Sequence, residues 1–369
     1  MTVTMDRRQW LRSSAIAAAW AATRPRLYAG PDAATAETIY LDQNENPYGI
    51  SEKARQAVVA AIKTANRYPG DETAELRDLI AEREGVPKNQ VVLGAGSTEI
   101  FSLAALLYGA DGKEVLLAEP TYFGFKNYVD KVKGKLNPVP VNERWEHDLD
   151  EMARRFTANV SLVYVCNPNN PTGTIVDGGR LRDFCESLSR RALVFVDEAY
   201  IDLVEDKRYA SMVDLVKRGS NVMVARTFSK IHGLAGMRIG YGIARPEVIE
   251  QFRRIQTNFA PLSQLSIAAA KASYVDTEYL AFCRQRNAEA RASFYRLLEK
   301  LGYKAIPSSQ TNFVIFQIDG KADAFVKDFQ RKHNIVLRPF EFLGKNWVRV
   351  SMGTTEEMAQ LADAMQRRT

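Results

Sequence analysis

A lysine and an arginine lie close together in a segment rich in hydroxyl groups and glycine. The segment begins Thr227-Phe228-Ser229-Lys230, and Arg238 follows eight residues after the lysine. A lysine among apolar and hydroxyl groups has its pKa lowered by desolvation, as a nucleophilic amine requires. An arginine can hold a phosphate through two parallel N–H bonds. The segment predicts an amine nucleophile beside an anion site; the alternative is a solvated surface lysine.

An acidic residue follows a second apolar run, Phe195-Val196-Asp197-Glu198-Ala199-Tyr200. A carboxylate at the end of a buried strand is costly unless a cation pairs with it. We expect Asp197 to face a cationic atom of a ligand, with the phenol of Tyr200 in reach of the same ligand. The alternative is that Asp197 caps the next helix.

Two turns at predicted strand ends carry further polar groups. In Gly94-Ala95-Gly96-Ser97-Thr98-Glu99 a turn leads into a helix, whose first N–H groups and Ser97 hydroxyl would hold a phosphate. Glu99 occupies the third glycine position of a dinucleotide fingerprint and excludes it, and an ordinary helix cap is the alternative. The turn Asn167-Pro168-Asn169-Asn170-Pro171 can direct an asparagine amide at a bound ring. The alternative is a tight turn whose residues only fix the backbone conformation.

These residue types together match what pyridoxal phosphate requires of a protein. A lysine amine joins its aldehyde, an aspartate keeps its ring nitrogen protonated, and arginine and hydroxyl groups hold its phosphate. No metal-binding pattern accompanies them, and the three cysteines are too few and too far apart for a zinc cluster or a disulfide framework.

From about Ile39 to its C-terminus the chain resembles the fold type I pyridoxal-phosphate aminotransferases, and among them the histidinol-phosphate aminotransferase branch. The resemblance rests on motifs in a fixed order: Asn44-Glu45-Asn46-Pro47, Arg67-Tyr68-Pro69, Pro120-Thr121-Tyr122, Asn169-Asn170-Pro171-Thr172-Gly173, Asp197-Glu198-Ala199-Tyr200, Ser229-Lys230 with Arg238, and Val348-Arg349-Val350. Each motif is modest alone, but the series in this order is specific.

The resemblance implies a role for each matching residue around the cofactor ring. Lys230 is the lysine joined to the cofactor, and it also carries the proton between substrate and cofactor carbons. Asp197 is the partner of the ring nitrogen. Asn170 and Tyr200 bind the ring hydroxyl, and Tyr122 stacks on the ring, although a tyrosine of the core is the alternative for Tyr122.

The resemblance also implies a phosphate cup, a second subunit and a substrate anion site. The cup consists of Gly96, Ser97, Thr227, Ser229 and Arg238, although the family usually has an acidic pair in place of Gly96-Ser97. Tyr68 resembles the tyrosine that reaches the phosphate of the other subunit, which implies a homodimer. Arg349 resembles the arginine that binds the anionic group of the substrate, and a salt bridge on a strand is its alternative.

The implied reaction is a ping-pong transfer of an amino group from histidinol phosphate, or a related aromatic amino compound, to a 2-oxo acid. The usual acceptor in this family is 2-oxoglutarate. Arg338 is a candidate second anion contact, and Tyr48 a candidate wall of the side-chain pocket. The alternatives are a decarboxylase or other lyase on the same scaffold, similar to threonine-phosphate decarboxylase, and a non-catalytic binding protein.

Short apolar runs alternate with amphipathic segments over most of the chain. The runs predict strands bounded by turn residues at 91–93, 114–118, 162–166, 193–196, 222–225 and 239–243. Segments 98–107 and 179–188 between them are helical in pattern. The alternation predicts an α/β fold with a mostly parallel sheet flanked by helices.

The pattern of predicted elements changes from about residue 265. Long helices come first, and apolar runs follow at 312–318, 335–338 and 347–351. This indicates a smaller α+β domain after the large one. We predict a leader at residues 1–36, an N-terminal arm joining the small domain at 37–65, the cofactor-binding large domain at 66–264 and the small domain at 265–369.

The first 36 residues resemble a twin-arginine export signal. Arg7 and Arg8 precede an Ala-rich stretch of about 11 residues, which is too short to span a bilayer. The signal predicts a periplasmic protein without a stable membrane anchor, and a cytoplasmic protein with a frayed N-terminus is the alternative. Periplasmic export would favour an aromatic or other amine over a phosphorylated biosynthetic intermediate.

Composition excludes several classes of protein. With 46% hydrophobic and 25% charged residues, the chain is neither disordered nor a multi-span membrane protein. The net charge is +6, and the five Arg and two Asp of the leader supply +3 of it. Because no basic run stands out in the remainder, a nucleic-acid partner is not expected.

Overall fold

A seven-stranded sheet forms the centre of the fold in the computed structural model, which describes residues 38–206, 209, 211–256 and 262–367. Its strands, in chain order, are β2 (Val91–Gly94), β3 (Glu114–Glu119), β4 (Lys135–Pro140), β5 (Val160–Cys166), β6 (Leu193–Asp197), β7 (Val222–Thr227) and β8 (Gly240–Ala244). The spatial order is β2-β8-β7-β6-β5-β3-β4, and only β8 runs antiparallel to its neighbours. The predicted mostly parallel α/β sheet is confirmed.

Both faces of this sheet are buried because residues of each strand alternate between two apolar clusters. On β5, Val163 and Val165 belong to one cluster, and Leu162 and Tyr164 belong to the other. Near-continuous apolar strands are typical of a sheet covered on both faces. The edge strand β4 was missed by the sequence prediction because its prolines and polar residues break the apolar pattern, which an edge strand tolerates.

Twelve helices accompany the strands in the described residues: α1 (Glu52–Ala61), α2 (Glu72–Glu84), α3 (Ser97–Gly109), α4 (Phe123–Lys131), α5 (Leu149–Arg154), α6 (Gly178–Leu188), α7 (Val213–Lys217), α8 (Pro246–Ile255), α9 (Gln264–Tyr274), α10 (Thr277–Lys300), α11 (Ala322–His333) and α12 (Thr355–Gln366). Among the described residues, every helix is too short or too polar to span a bilayer.

A second, smaller sheet follows α10. It contains β9 (Phe313–Ile318), β11 (Arg338–Phe342) and β12 (Lys345–Ser351) in the antiparallel order β11-β12-β9. The single run predicted at 335–338 is wrong: β10 (Ile335–Val336) ends before Leu337, and Arg338 begins β11 in a different sheet. An apolar run does not reveal where a strand changes partner.

The N-terminal segment joins the C-terminal part through a short parallel pair. Strand β1 (Ile39–Tyr40) pairs with β10. Beyond this pair, Ser351 at the end of β12 donates a backbone N–H bond to Leu41. The domain limits given above stay predictions, and the predicted export signal lies outside the described residues.

The carboxyl ends of β5, β6 and β7 meet at one edge of the large sheet. Cys166 pairs with Asp197, and Asp197 pairs with Ala225. The turn before α3 comes to the same edge, where a Cβ at Gly240 would lie 2.4 Å from the backbone nitrogen of Ser97. A glycine at the start of β8 therefore permits that turn to pack on the strand.

Candidate active site

A cavity of about 440 Å³ opens at this edge of the sheet. Eleven of the fourteen residues singled out in the sequence line it: Ser97, Tyr122, Asn170, Asp197, Tyr200, Thr227, Ser229, Lys230, Arg238, Arg338 and Arg349. Gly96 lies just before Ser97, whereas Tyr48 and Tyr68 lie elsewhere. The volume suits a small organic ligand.

Asp197 ends β6 with its carboxylate buried and facing the cavity. Its Oδ1 accepts a bond from the Ala199 backbone N–H at 3.1 Å, and its Oδ2 accepts one from the Tyr164 hydroxyl at 2.9 Å. Burial raises the pKa of this carboxyl to about 6. The helix-cap alternative is wrong, because the next short helical turn, Ile201–Leu203, has Tyr200 at its N-cap position.

Lys230 lies three residues beyond β7, and its amine is held by the N-terminal segment. Its Nζ donates to the backbone oxygens of Gln43 at 3.2 Å and Asn44 at 3.1 Å. Burial, followed by the positive charge of Arg349, lowers the pKa of this amine to about 8. A sizeable fraction is therefore neutral near physiological pH, as a nucleophilic or basic amine requires. The alternative that Lys230 is a solvated surface lysine is wrong.

One hydrogen-bonded chain connects three predicted residues and one that sequence reasoning missed. Arg349 Nη1 donates to Asn170 Oδ1 at 2.7 Å, and Asn170 Nδ2 donates to the Tyr200 hydroxyl at 3.4 Å. Asn44, with a left-handed backbone (φ 56°), donates from Nδ2 to the same hydroxyl at 2.9 Å. The motif Asn44-Glu45-Asn46-Pro47 was the available signal for this contact.

Arg349 lies between aromatic rings and has one N–H group without a hydrogen-bond partner. Its guanidinium lies 5.1 Å from the ring centroids of both Phe313 and Phe340, and Nη2 donates to the Asp42 backbone oxygen at 2.7 Å. Its Nε is buried without a partner, and no carboxylate within the described ranges pairs with it. Burial lowers the pKa of Arg349 to about 10. This cation is available to an anion rather than bound in a salt bridge.

Hydroxyl groups and a second arginine gather at the other end of the cavity. Thr227 Oγ1 donates to Ser229 Oγ at 2.9 Å, and Arg238 Nη2 donates to Thr98 Oγ1 at 3.3 Å. Gly96 has φ 76°, and a Cβ there would lie 2.5 Å from Arg238 Nη2. Ser97 and Thr98 of the first turn of α3 line the same cavity, so this part of it offers helix N–H groups, hydroxyls and a guanidinium to an anion.

Three predicted residues border the cavity or lie outside it. Arg338 lines it, with its guanidinium 5.9 Å from the Phe123 ring. Tyr48 lines a small adjoining cavity that shares Lys230 with the main one. Tyr68 lies between α1 and α2 and is 74% exposed, so it does not face the cavity of its own chain.

A buried ion triad under the strand ends was missed by sequence reasoning. Arg226 on β7 bonds Glu198 at 2.9 Å and Glu84 at 2.6 Å. Because neighbouring residues of a strand point to opposite faces, the triad lies behind Asp197 and Thr227 rather than in the cavity. No short motif identifies it, since Glu84 is more than 100 residues away in the sequence.

Comparison with known proteins gives a consistent result. Residues 36–365 match the family model described as aminotransferase class I and II. Histidinol-phosphate aminotransferase 1 of Cupriavidus pinatubonensis is 34% identical over 332 residues, 89% of this chain and 88% of that protein. Histidinol-phosphate aminotransferase 2 of Ralstonia nicotianae is 35% identical over 334 residues, 90% of this chain and 88% of that protein.

A solved structure also resembles the fold. Histidinol-phosphate aminotransferase from Sinorhizobium meliloti, in complex with pyridoxal 5′-phosphate, superposes with a TM-score of 0.82 at 27% identity. The match covers 90% of this chain and 92% of that one.

Proposed function

The chain belongs to the aminotransferase class I and II family, and from this premise we propose that its amino donor is histidinol phosphate or a related aromatic amino compound. It is a pyridoxal-phosphate-dependent aminotransferase. We further propose that the acceptor is a 2-oxo acid, 2-oxoglutarate, and that the two substrates react in turn by a ping-pong mechanism. The observation that carries the proposal is the pair Arg338 and Arg349 lining the cavity that also contains Lys230.

The residues of the cavity fit pyridoxal phosphate. A buried acid, an amine of lowered pKa and a cluster of anion-binding groups line one space. Asp197 would bind the ring nitrogen, Asn170 and Tyr200 the ring hydroxyl, and Tyr122 one face of the ring. The phosphate would be held by Gly96, Ser97, Thr227, Ser229 and Arg238. When bound, the cofactor supplies an electron sink for negative charge at the substrate carbon.

The protein's own part in the reaction is proton transfer and orientation. With a pKa of about 8, the Lys230 amine can accept a proton from the substrate α-carbon and return one. The Asp197 carboxylate, buried and fixed by hydrogen bonds from Tyr164, Ala199 and Cys166, maintains a negative charge in the cavity. Arg349 would bind the substrate anion and thereby orient the α-carbon toward Lys230.

Gly124 gives the Tyr122 ring its position. A Cβ at Gly124 would lie 2.5 Å from Tyr122 Cζ, so an alanine must displace that ring. Alanine would stabilise the helix that contains Gly124, but it would move the ring that stacks on the cofactor. We therefore expect Gly124→Ala to weaken pyridoxal phosphate affinity about three- to tenfold. Fluorescence titration of the apo-protein measures this. Gly70→Ala, where the nearest atom is 3.6 Å away, is the matched control, and equal affinities of the two variants would contradict the stacking role.

Arg338 is expected to select the donor. A phosphate carries more negative charge than a carboxylate, so a second guanidinium favours it more strongly. We expect Arg338→Gln to raise the KM for histidinol phosphate about tenfold, with a smaller change for aromatic amino acids and for kcat. The exposed Arg331→Gln is the control. Equal increases of KM for both donor types would contradict the selection.

A half-reaction screen tests the proposed donor directly. Holoenzyme is mixed with single amines without any oxo acid, and the absorbance of the cofactor is followed for conversion to its amine form. Histidinol phosphate or aromatic amino acids should react. Release of carbon dioxide without an oxo-acid requirement would instead indicate a decarboxylase, and no response to either donor class would overturn the proposal.

We also propose that the chain is exported to the periplasm and acts as a homodimer. The support for export is the arginine pair Arg7-Arg8 before an apolar stretch. The support for the dimer is the exposure of Tyr68, which would reach the cofactor of a second subunit. Unprocessed full-length protein in a cytosolic fraction would contradict export, and a monomer with full activity would contradict the dimer.

A further inference from the structure

We propose that Tyr164 is a positioning residue for the electron sink: its hydroxyl fixes the orientation and the charge of the Asp197 carboxylate. This inference rests on the proposed role of Asp197 at the cofactor ring. Tyr164 was not among the residues singled out in the sequence, where it is an ordinary member of an apolar run.

Among the acids that line the described cavity, the Tyr164 hydroxyl bonds only to Asp197. Tyr164 donates to Asp197 Oδ2 at 2.9 Å from the neighbouring strand. Its ring is fully buried and is stacked on Phe125, with centroids 4.0 Å apart and planes at 7°. The rings of Phe101 and Phe195 pack against it as well. Because three aromatic rings hold the Tyr164 ring in place, its hydroxyl is a rigid donor.

This donor leaves the carboxylate free to bind one more partner. Each carboxylate oxygen can accept two hydrogen bonds. Oδ2 accepts the Tyr164 hydroxyl and the Cys166 thiol, whereas Oδ1 accepts only the Ala199 N–H, so one acceptor position stays free on Oδ1. With both oxygens already oriented, the remaining lone pair is directed without further loss of side-chain freedom. A ring N–H entering the cavity therefore meets a preorganised acceptor.

The hydrogen bond also opposes the effect of burial on the acid. Burial raises the pKa of Asp197, and the Tyr164 hydroxyl lowers it because a donor stabilises the charged form. The other titratable or charged groups that interact with this carboxyl are Cys166, Lys230, Tyr122 and Tyr200. Of these only Cys166 bonds the carboxylate directly, because its thiol donates to Oδ2 at 3.7 Å. Loss of the Tyr164 hydroxyl should therefore raise the pKa of Asp197.

The test is Tyr164→Phe, which keeps the stacked ring and removes only the hydroxyl. Affinity of the apo-protein for pyridoxal phosphate is measured between pH 5 and pH 9 by absorbance and fluorescence. We expect the acid limb of the affinity profile to move up by about one pH unit, the size typical of a hydrogen bond to a charged group. At pH 8.5 and above the affinity should return to that of the unmodified protein.

The matched control is Tyr274→Phe, which removes another buried tyrosine hydroxyl, 3.1 Å from Glu84 Oε1. It should leave the acid limb in place. An unchanged limb in Tyr164→Phe, or a loss of affinity that is uniform over pH, would overturn the proposal. Asp197→Asn separates the two levels of inference: if that variant retains the acid limb of the original protein, the proposed role of Asp197 itself fails.

Discussion

Replacement of Lys230 by alanine should lower the rate of amino transfer by about 10⁴-fold or more, the upper range for loss of a general acid–base. The variant loses both the amine that would join the cofactor and the base that would move the proton. Its absence also removes the bonds from Nζ to the backbone oxygens of Gln43 and Asn44, although Asn44 keeps its bond from the Asn312 side chain. Stopped-flow absorbance of the half-reaction measures the rate.

Covalent attachment gives an independent measurement for the same variant. Borohydride treatment followed by mass spectrometry should fix the cofactor to the unmodified protein at Lys230 and to the control Lys113→Ala. Lys113 is exposed and lies outside the cavity, so we expect the Lys113→Ala variant to keep full activity. A reduced adduct on Lys230→Ala, or a rate within tenfold of the original, would show that another amine acts.

Replacement of Asp197 by asparagine should lower kcat by about 10²- to 10³-fold, since a preorganised charge at the ring nitrogen is lost. The same change should stabilise the apo-protein at neutral pH. Because the pKa of Asp197 rises from 3.8 to about 6 on folding, the folded chain binds the proton more tightly than the unfolded chain. Stability is therefore lost as pH rises from about 4 to 6, and it stays lost above pH 6.

The expected size follows from the same pKa shift. The free energy of unfolding of the asparagine variant, relative to the original, should increase by about 2 kcal/mol between pH 4 and pH 7. Urea unfolding of the two apo-proteins at several pH values measures it. Asp150→Asn, at an exposed position, should show no such trend. A constant difference over pH would contradict an unusually basic carboxyl at position 197.

The residues at strand ends could be predicted because their signal is local. An apolar run that stops at Asp197 or just before Lys230 reveals a polar group at the edge of a buried strand. In a parallel sheet these edges coincide, so the separate motifs could be expected to converge. The fold class followed from the same alternation of runs and helical segments.

The partners of those residues could not be predicted, because they depend on which segments pair. Tyr164 is one apolar strand residue among many until β5 is placed beside β6. Asn44 reaches Tyr200, 156 positions away in the sequence, only through the β1–β10 contact and the loop after it. Tyr48 was expected in the main pocket, but its turn directs it to the adjoining cavity.

The parallel pair of β1 and β10 has a consequence for biosynthesis. The segment that supplies Gln43 and Asn44 to the site is translated well before β10 and the strand carrying Arg349. The catalytic chamber therefore closes only after β10 and β12 have been made and the N-terminal segment has paired with β10.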